Sequence, residues 1–394
     1  MSGSRRIAAL TAAALLALLV GCSAPTPDPS QAAPPATDAP PALDDATRAR
    51  LEEEFVAAVD ASGMPGAAIL VRIGDETWES STGVGDVRTQ EPFDPGAVVR
   101  IGSVTKTFVG TVVLELIDDG ALSLDDTLEE FIPGVTNGTT ITVRNLLNMT
   151  SGVWEFTGDA DLMGRWSADP LLSWTVDDTI ELLKDKPAQF EPGAKVIYTD
   201  SNYILLGRIV ELITGSTLPE QVAERVLEPL GLMSTAMPSN AETGVPDPHQ
   251  QGYRPAGDGP TGPDIELSPI REINPEVAWA AGSMTSTLGD LATWSVALAE
   301  GDLLSPELQS ARVDTDFLDG SNLEYGLALQ RFGDFVGHGG AIFGYNTTMM
   351  RFPEADATIV VVGNGSSNGS SGTLDVFAVV LQDLFPEQFE GLTS

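Results

Sequence analysis

Cysteine is nearly missing. Cys22 is the only one in 394 residues, which excludes a disulfide within the chain. Histidine is almost as scarce, and His249 with His338 cannot build a histidine-rich metal site. Neither a metal nor an organic cofactor is expected. Basic side chains number 20 against 57 acidic ones, for a net charge of −37. That balance argues against nucleic acid, or an anionic membrane surface, as a partner recognised by charge. The acids are scattered through the chain and read as a strongly solvated surface. Apolar runs long enough to span a bilayer comfortably are also lacking, and no internal repeat of fixed period is visible.

What is present begins with an address. Arg5 and Arg6 precede an apolar segment over 7–20, so residues 1–21 read as an export signal. Leu19-Val-Gly-Cys22 resembles the bacterial lipobox, which implies cleavage before Cys22 and a lipid on its thiol. The chain is then expected to be exported and held on the outer face of the cell membrane by that lipid anchor alone. Residues 22–43 are Pro, Ala, Thr and Asp with few large apolar side chains. Such a segment cannot bury enough surface to fold and serves as an extended spacer. A folded domain over 44–388 follows.

Within that domain, 45–60 has the pattern of an amphipathic helix, and 66–73 with 77–80 alternate around Gly74-Asp75 as a hairpin. A third short strand is expected over 98–101. Helical patterns fill 142–149, 176–184, 202–214, 219–227 and 288–299. Strand patterns return at 325–331, 344–352 and 358–362, before a closing helix over 373–384. Strands at both ends around a helical block predict an α/β (α+β) domain. Its antiparallel sheet would be flanked by N- and C-terminal helices, with an inserted, mostly helical subdomain. The cleft between those two units is the natural place for a site.

The stretch with most chemistry is Arg100-Ile-Gly-Ser103-Val-Thr-Lys106, which opens an apolar helical run over 108–117. Ser103 would stand at a helix mouth, where free N–H groups favour developing negative charge. Lys106, one turn later, would project from the same face, close enough to exchange a proton with the hydroxyl. S-x-x-K alone is common and equally fits an N-capping serine with a solvated lysine. Two further stretches add weight: Tyr198-Thr-Asp200, before an apolar helix, and Gly337-His-Gly-Gly-Ala-Ile-Phe-Gly-Tyr345, between strand patterns.

With these three in order, the sequence resembles the serine β-lactamase and penicillin-binding-protein superfamily, whose motifs are S-x-x-K, S-D-N and K-T-G. It is most similar to the class C-like branch, in which the second motif is Y-x-N and the third is often H-x-G. The similarity covers roughly 47–385 and includes 100–106, 141–152, 198–207, 279–291 and 337–345. It implies that Ser103 is the acylated nucleophile, Lys106 its base and Tyr198 the proton shuttle to the leaving group. Backbone N–H groups of Ser103 and Ala341 would form the oxyanion hole. Asp200 occupies the usual asparagine position. His338, Gly339 and Gly340 would line the cleft on an edge strand, and Trp279 would form an aromatic wall.

The implied activity is that of a serine hydrolase on small peptides or esters. D-Ala-D-Ala carboxypeptidase action on peptidoglycan stem peptides leads, with β-lactams as pseudo-substrates. Related carboxypeptidases carry hydroxyl residues at the positions of Gly339 and Ala341, and Arg331 could supply a compensating charge. An esterase, a D-aminopeptidase and a class C-like β-lactamase remain alternatives. A non-catalytic sensor of penicillin or peptidoglycan is the reading outside enzymology. Two decoys are set aside: Gly365-Ser-Ser-Asn-Gly369 reads as a loop, not a nucleophile elbow, and His338 as part of a His-Gly-Gly turn, not a triad. His249 reads as a surface residue.

Overall fold

The computed structural model describes residues 41–255, 267–365 and 372–393. The export signal, Cys22, most of the spacer, and the serines and asparagine of the Gly365 stretch lie outside the described residues. Helix α1 (Asp45–Ser62) starts where the Asp44 carboxylate accepts from Thr47 N at 2.8 Å. It is followed by β1 (Gly66–Ile73), β2 (Glu76–Asp86), β3 (Glu91–Pro92) and β4 (Val99–Arg100). After α2 (Thr105–Asp118) come the helical middle, then β5 (Gly252–Pro255), β6 (Leu267–Ile270) and β7 (Thr285–Ser286). The C-terminal part supplies β8 (Asp316–Phe317), β9 (Glu324–Tyr325), β10 (Gln330–Phe332), β11 (Phe335–Ile342), β12 (Tyr345–Phe352) and β13 (Ala357–Gly363).

Nine of these strands form one antiparallel sheet in the order β3-β2-β1-β13-β12-β11-β10-β9-β8, so both ends of the domain build it. Alternation sorts its side chains between two cores. Ala67, Ile69 and Val71 of β1, with Ile359 and Val361 of β13, face α1 and the helix Gly372–Leu384. Ala68, Leu70, Val360 and Val362 point to the other face, where α2 and the helical middle lie. The second core is the larger, and it holds α2 with almost every side chain buried. The Ser201–Thr214 and Leu288–Glu300 helices end at Gly215 (φ +70°) and Gly301 (φ +78°), left-handed caps that glycine adopts without strain.

Four sequence expectations change. The strand at 98–101 is only two residues long and pairs with β7 outside the main sheet. The pattern over 219–227 breaks into a short helix, a wider π-type turn over Ala223–Leu227 and another short helix. Pro229 there offers no N–H to continue the ladder. The single strand expected at 325–331 is two, interrupted by a turn in which Ala328 has φ +62°. Finally, the His-Gly-Gly stretch is no turn, although beyond Gly337 one side of its strand is indeed an open sheet edge. It is the C-terminal half of β11, paired to β12 along its whole length. Glycine's low strand propensity hid it.

Candidate active site

Ser103 lies in one 3-10 turn, Gly102–Val104, that leads directly into α2. That turn is pressed against β11. A Cβ on Gly102 would sit 2.7 Å from Ala341 N, and one on Gly340 would sit 2.0 Å from Ile101 O. Glycine is required at both places because the nucleophile's backbone and the strand share that space.

Lys106 is fully buried, and its ammonium meets three acceptors: Ser103 Oγ at 3.0 Å, Ala281 O at 2.7 Å and Asp200 Oδ1 at 2.6 Å. It donates hydrogen bonds to Ser103 and Ala281, whereas Asp200 is an ion-pair partner whose Oδ1 receives no hydrogen bond of proper geometry. Its Nζ also stands 5.0 Å from the Tyr198 ring centroid and 5.6 Å from that of Tyr203. The Tyr198 hydroxyl is buried without a hydrogen bond of proper geometry. Burial, then the Asp200 charge, push it well above the ordinary phenol range, and the neighbouring Ser103 hydroxyl opposes this. Tyr198 therefore rests as a phenol, fit to donate a proton and not to stand as an anion.

The main-chain pattern shows which way the Ala341 N–H points. Phe343-Gly344 is a two-residue turn, so Ile342 and Tyr345 are the closing, hydrogen-bonded pair of the β11–β12 hairpin. The next pair, Ala341 and Asn346, is of the other kind, and Ala341 N–H points away from β12. Gly339 has the same parity, and its N–H does turn outward, to Gln330 Oε1 at 2.8 Å. Strand β10 pairs only with residues 335–337, so Ala341 N–H opens beside Ser103. Together these groups can carry an acyl transfer: an alcohol, an amine, a phenol and two inward backbone donors.

Other expected site residues lie elsewhere. His338 is completely buried beneath the cleft and does not line it; its ring contacts Tyr325, 3.0 Å from Nε2. Burial, then the Lys106 charge, hold its pKa down at about 3, so it is neutral. Trp279 is no pocket wall. It is buried against Gly207, whose Cβ would come within 2.8 Å of the indole. Its backbone is strained at φ +32°, two residues before the carbonyl that holds Lys106. Arg331 does not reach the cleft either: alternation along β10 sends it to Val313 O, at 3.5 Å. His249 is exposed and pairs with Asp247 at 2.8 Å.

Glu155 escaped the sequence reading, for one acid among 57 carries no signal. Its Oε2 accepts from Asp200 N at 2.6 Å, and its Oε1 takes both Thr157 N and Oγ1. Burial, followed by the Asp200 charge, raises its pKa. The start of the Ser201–Thr214 helix holds this segment in place. Ser201 Oγ accepts from Phe156 N at 2.9 Å, and Asn202 is bonded by Ser151 Oγ at 2.6 Å. Among the described residues no group of three or more His, Cys, Asp or Glu is arranged for a metal ion, and no helix is long and apolar enough to cross a membrane.

The chain is similar to several known proteins. The family described as Beta-lactamase matches residues 48–383. Penicillin-binding protein 4 of Amycolatopsis lactamdurans is 31% identical over 252 residues, covering 62% of this chain and 61% of the relative. The chain thus spans about three-fifths of that protein's length. A D-stereospecific amidohydrolase from Streptomyces sp. superposes with a TM-score of 0.75 at 28% identity, over 86% of this chain and 98% of the other. The D-amino acid amidase of Ochrobactrum anthropi, solved with D-phenylalanine, gives 0.73 at 25% identity over 86% and 99%.

Proposed function

The chain belongs to the β-lactamase family of serine hydrolases, and from that membership we propose that it cleaves amide bonds of small D-amino-acid substrates through an acyl-enzyme on Ser103. The observation that carries this reading is the Lys106 ammonium, which bridges Ser103 Oγ and Asp200 Oδ1. Passing one proton to Asp200 leaves an amine that takes the Ser103 proton as Oγ bonds the substrate carbonyl carbon. The carbonyl oxygen becomes an anion held by Ser103 and Ala341 N–H. When the tetrahedral intermediate collapses, the C–N bond breaks, the Tyr198 phenol protonates the departing nitrogen, and the Lys106 ammonium returns a proton to Tyr198 so that no phenolate persists. Water then releases the acyl group by the reverse route.

Substrate class follows from charge. Gly339 and Ala341 have no hydroxyls and Arg331 is turned to Val313, so the devices implied for a free terminal carboxylate are missing. Asp200, paired with Lys106, and Glu155 behind it on the Asp200 N–H supply acidic groups in this region instead, a field suited to a free ammonium. The amidase relatives point the same way, whereas a putative D-alanyl-D-alanine carboxypeptidase of Escherichia coli, 30% identical over 182 residues, supports carboxypeptidase action as the second reading.

The test compares D-alanine p-nitroanilide, its N-acetyl derivative and an N-acylated peptide ending in D-Ala-D-Ala. The free amine should be turned over fastest, with a mass adduct on Ser103, and Ser103→Ala should abolish both signals. Lys106→Ala should lower kcat by about 10²–10⁴-fold. Faster turnover of the acylated D-Ala-D-Ala peptide would overturn the amine preference and restore the carboxypeptidase. We further propose export and lipidation at Cys22, supported by Leu19-Val-Gly-Cys22; Cys22→Ser should release the protein from the membrane fraction.

A further inference from the structure

Where β10 ends at Gln330, one edge of β11 continues without a strand beside it. Parity along β11 sends the main-chain groups of Gly339, half-buried, and Ala341, exposed, to that open edge. At Gly339 two side chains replace the missing strand. Gln330 takes the N–H, and the His338 ring lies with Nδ1 2.5 Å from the carbonyl oxygen. Ala341, two residues on, is the position whose N–H faces the nucleophile. Residues 339 and 340 are both glycine, so on the open side no side chain of their own adds to the restraint of the β12 ladder.

The hydrogen-bond inventory dictates one tautomer for His338. A neutral imidazole has one donor and one acceptor. Gly339 O can only accept, so Nδ1 must carry the proton. Nε2 is then the acceptor, and Tyr325 Oη, 3.0 Å away, must donate to it. Tyr325 is itself buried, with its ring edge-on to the imidazole at 5.7 Å and to Tyr198 at 5.8 Å. The neighbouring phenol, Tyr203, spends its proton on Leu147 O at 3.2 Å, and its oxygen, 3.5 Å from Tyr325 Oη, is a more distant acceptor for the Tyr325 proton than Nε2 at 3.0 Å.

We propose that Tyr325 is a positioning residue for the oxyanion strand: by donating to His338 Nε2 it fixes the Nδ1–H tautomer, which clamps the Gly339 carbonyl and so aims Ala341 N–H at the Ser103 pocket. The proposal rests on the acyl-enzyme reading above. His338 touches no reacting atom in this scheme, and its constant neutrality keeps the clamp closed at any physiological pH.

With only two histidines, long-range ¹H–¹⁵N spectra of ¹⁵N-histidine-labelled protein resolve the tautomer, His249→Asn identifying the remaining signal. Wild-type His338 should show a protonated Nδ1 and a bare, hydrogen-bonded Nε2 from pH 5 to 8. Tyr325→Phe should lose that single-tautomer signature and lower kcat on the order of tenfold, less than deletion of an oxyanion donor. KM and melting temperature should move little. An Nε2–H tautomer in the wild type refutes the proposal without need of a folded variant. So does a folded Tyr325→Phe protein with unchanged kcat. Failure of wild-type Ser103 to form any adduct would instead sink the acyl-enzyme reading, which separates the two.

Discussion

Gly340→Ala tests the site geometry most directly. The added methyl would sit 2.0 Å from Ile101 O and 3.1 Å from Ser103 N. A carbon clears a carbonyl oxygen at about 3.3 Å, so strand and turn must part by roughly 1.3 Å. Neither side yields easily: Ile101 is fully buried and its N–H is bonded to Met284 O at 3.0 Å, while β11 is laddered to β12. That shift separates the two oxyanion donors, and a misplacement near 1 Å costs about 10²-fold in rate. Overpacking of this kind also costs about 1–3 kcal/mol of stability. Gly339→Ala is the matched control, since its methyl meets nothing closer than Gln330 Oε1 at 3.7 Å. Turnover of the p-nitroanilide, affinity for a boronic acid that adds to the serine, and melting temperature would be measured for both. Gly340→Ala should lose kcat and boronate affinity together, with Gly339→Ala close to the parent. A folded Gly340→Ala within about threefold of the parent kcat, or an equal loss at Gly339, would refute the argument.

Two further expectations concern stability. Glu115, on α2, is pushed up to about 7 by burial, with Arg225 at 3.8 Å opposing. The folded state therefore holds its proton more tightly than the unfolded chain, whose value is 4.5. The resulting stabilisation is complete below pH 4.5 and is lost as pH rises through about 7. Glu115→Gln should match the parent near pH 4.5 and be the more stable at pH 8 by urea unfolding; an equal difference at both would count against it. Phe335 is fully buried and packs against Phe352, Phe377 and Phe385 with ring centroids 5.2–5.6 Å away. Phe335→Ala should cost about 3–5 kcal/mol, and its effect on kcat should be small, because that core lies across the sheet from Ser103.

Period and punctuation in the chain were enough to announce most of the architecture. The strand patterns at β1, β12 and β13 and the apolar helical run of α2 are local properties, and so are the glycine stops of the long helices. Ser103 and Lys106 were legible for the same reason, being one turn apart. Tyr198 was legible only through motif order. The rest depended on contacts between segments remote in sequence. Glu155 reaches Asp200 across 45 residues, Ala281 O reaches Lys106 across 175, and neither leaves a pattern in its own neighbourhood. The strand at 335–342 was hidden because its glycines answer to the turn at Ile101–Ser103 and not to strand propensity. Trp279 and His338 show the same limit: the family resemblance implied that they line the cleft, whereas packing turned both side chains inward. Sequence alone thus determined which groups could do the chemistry. The tertiary structure decided which protons they hold and which way they face, because burial and hydrogen-bond partners exist only once distant segments have met.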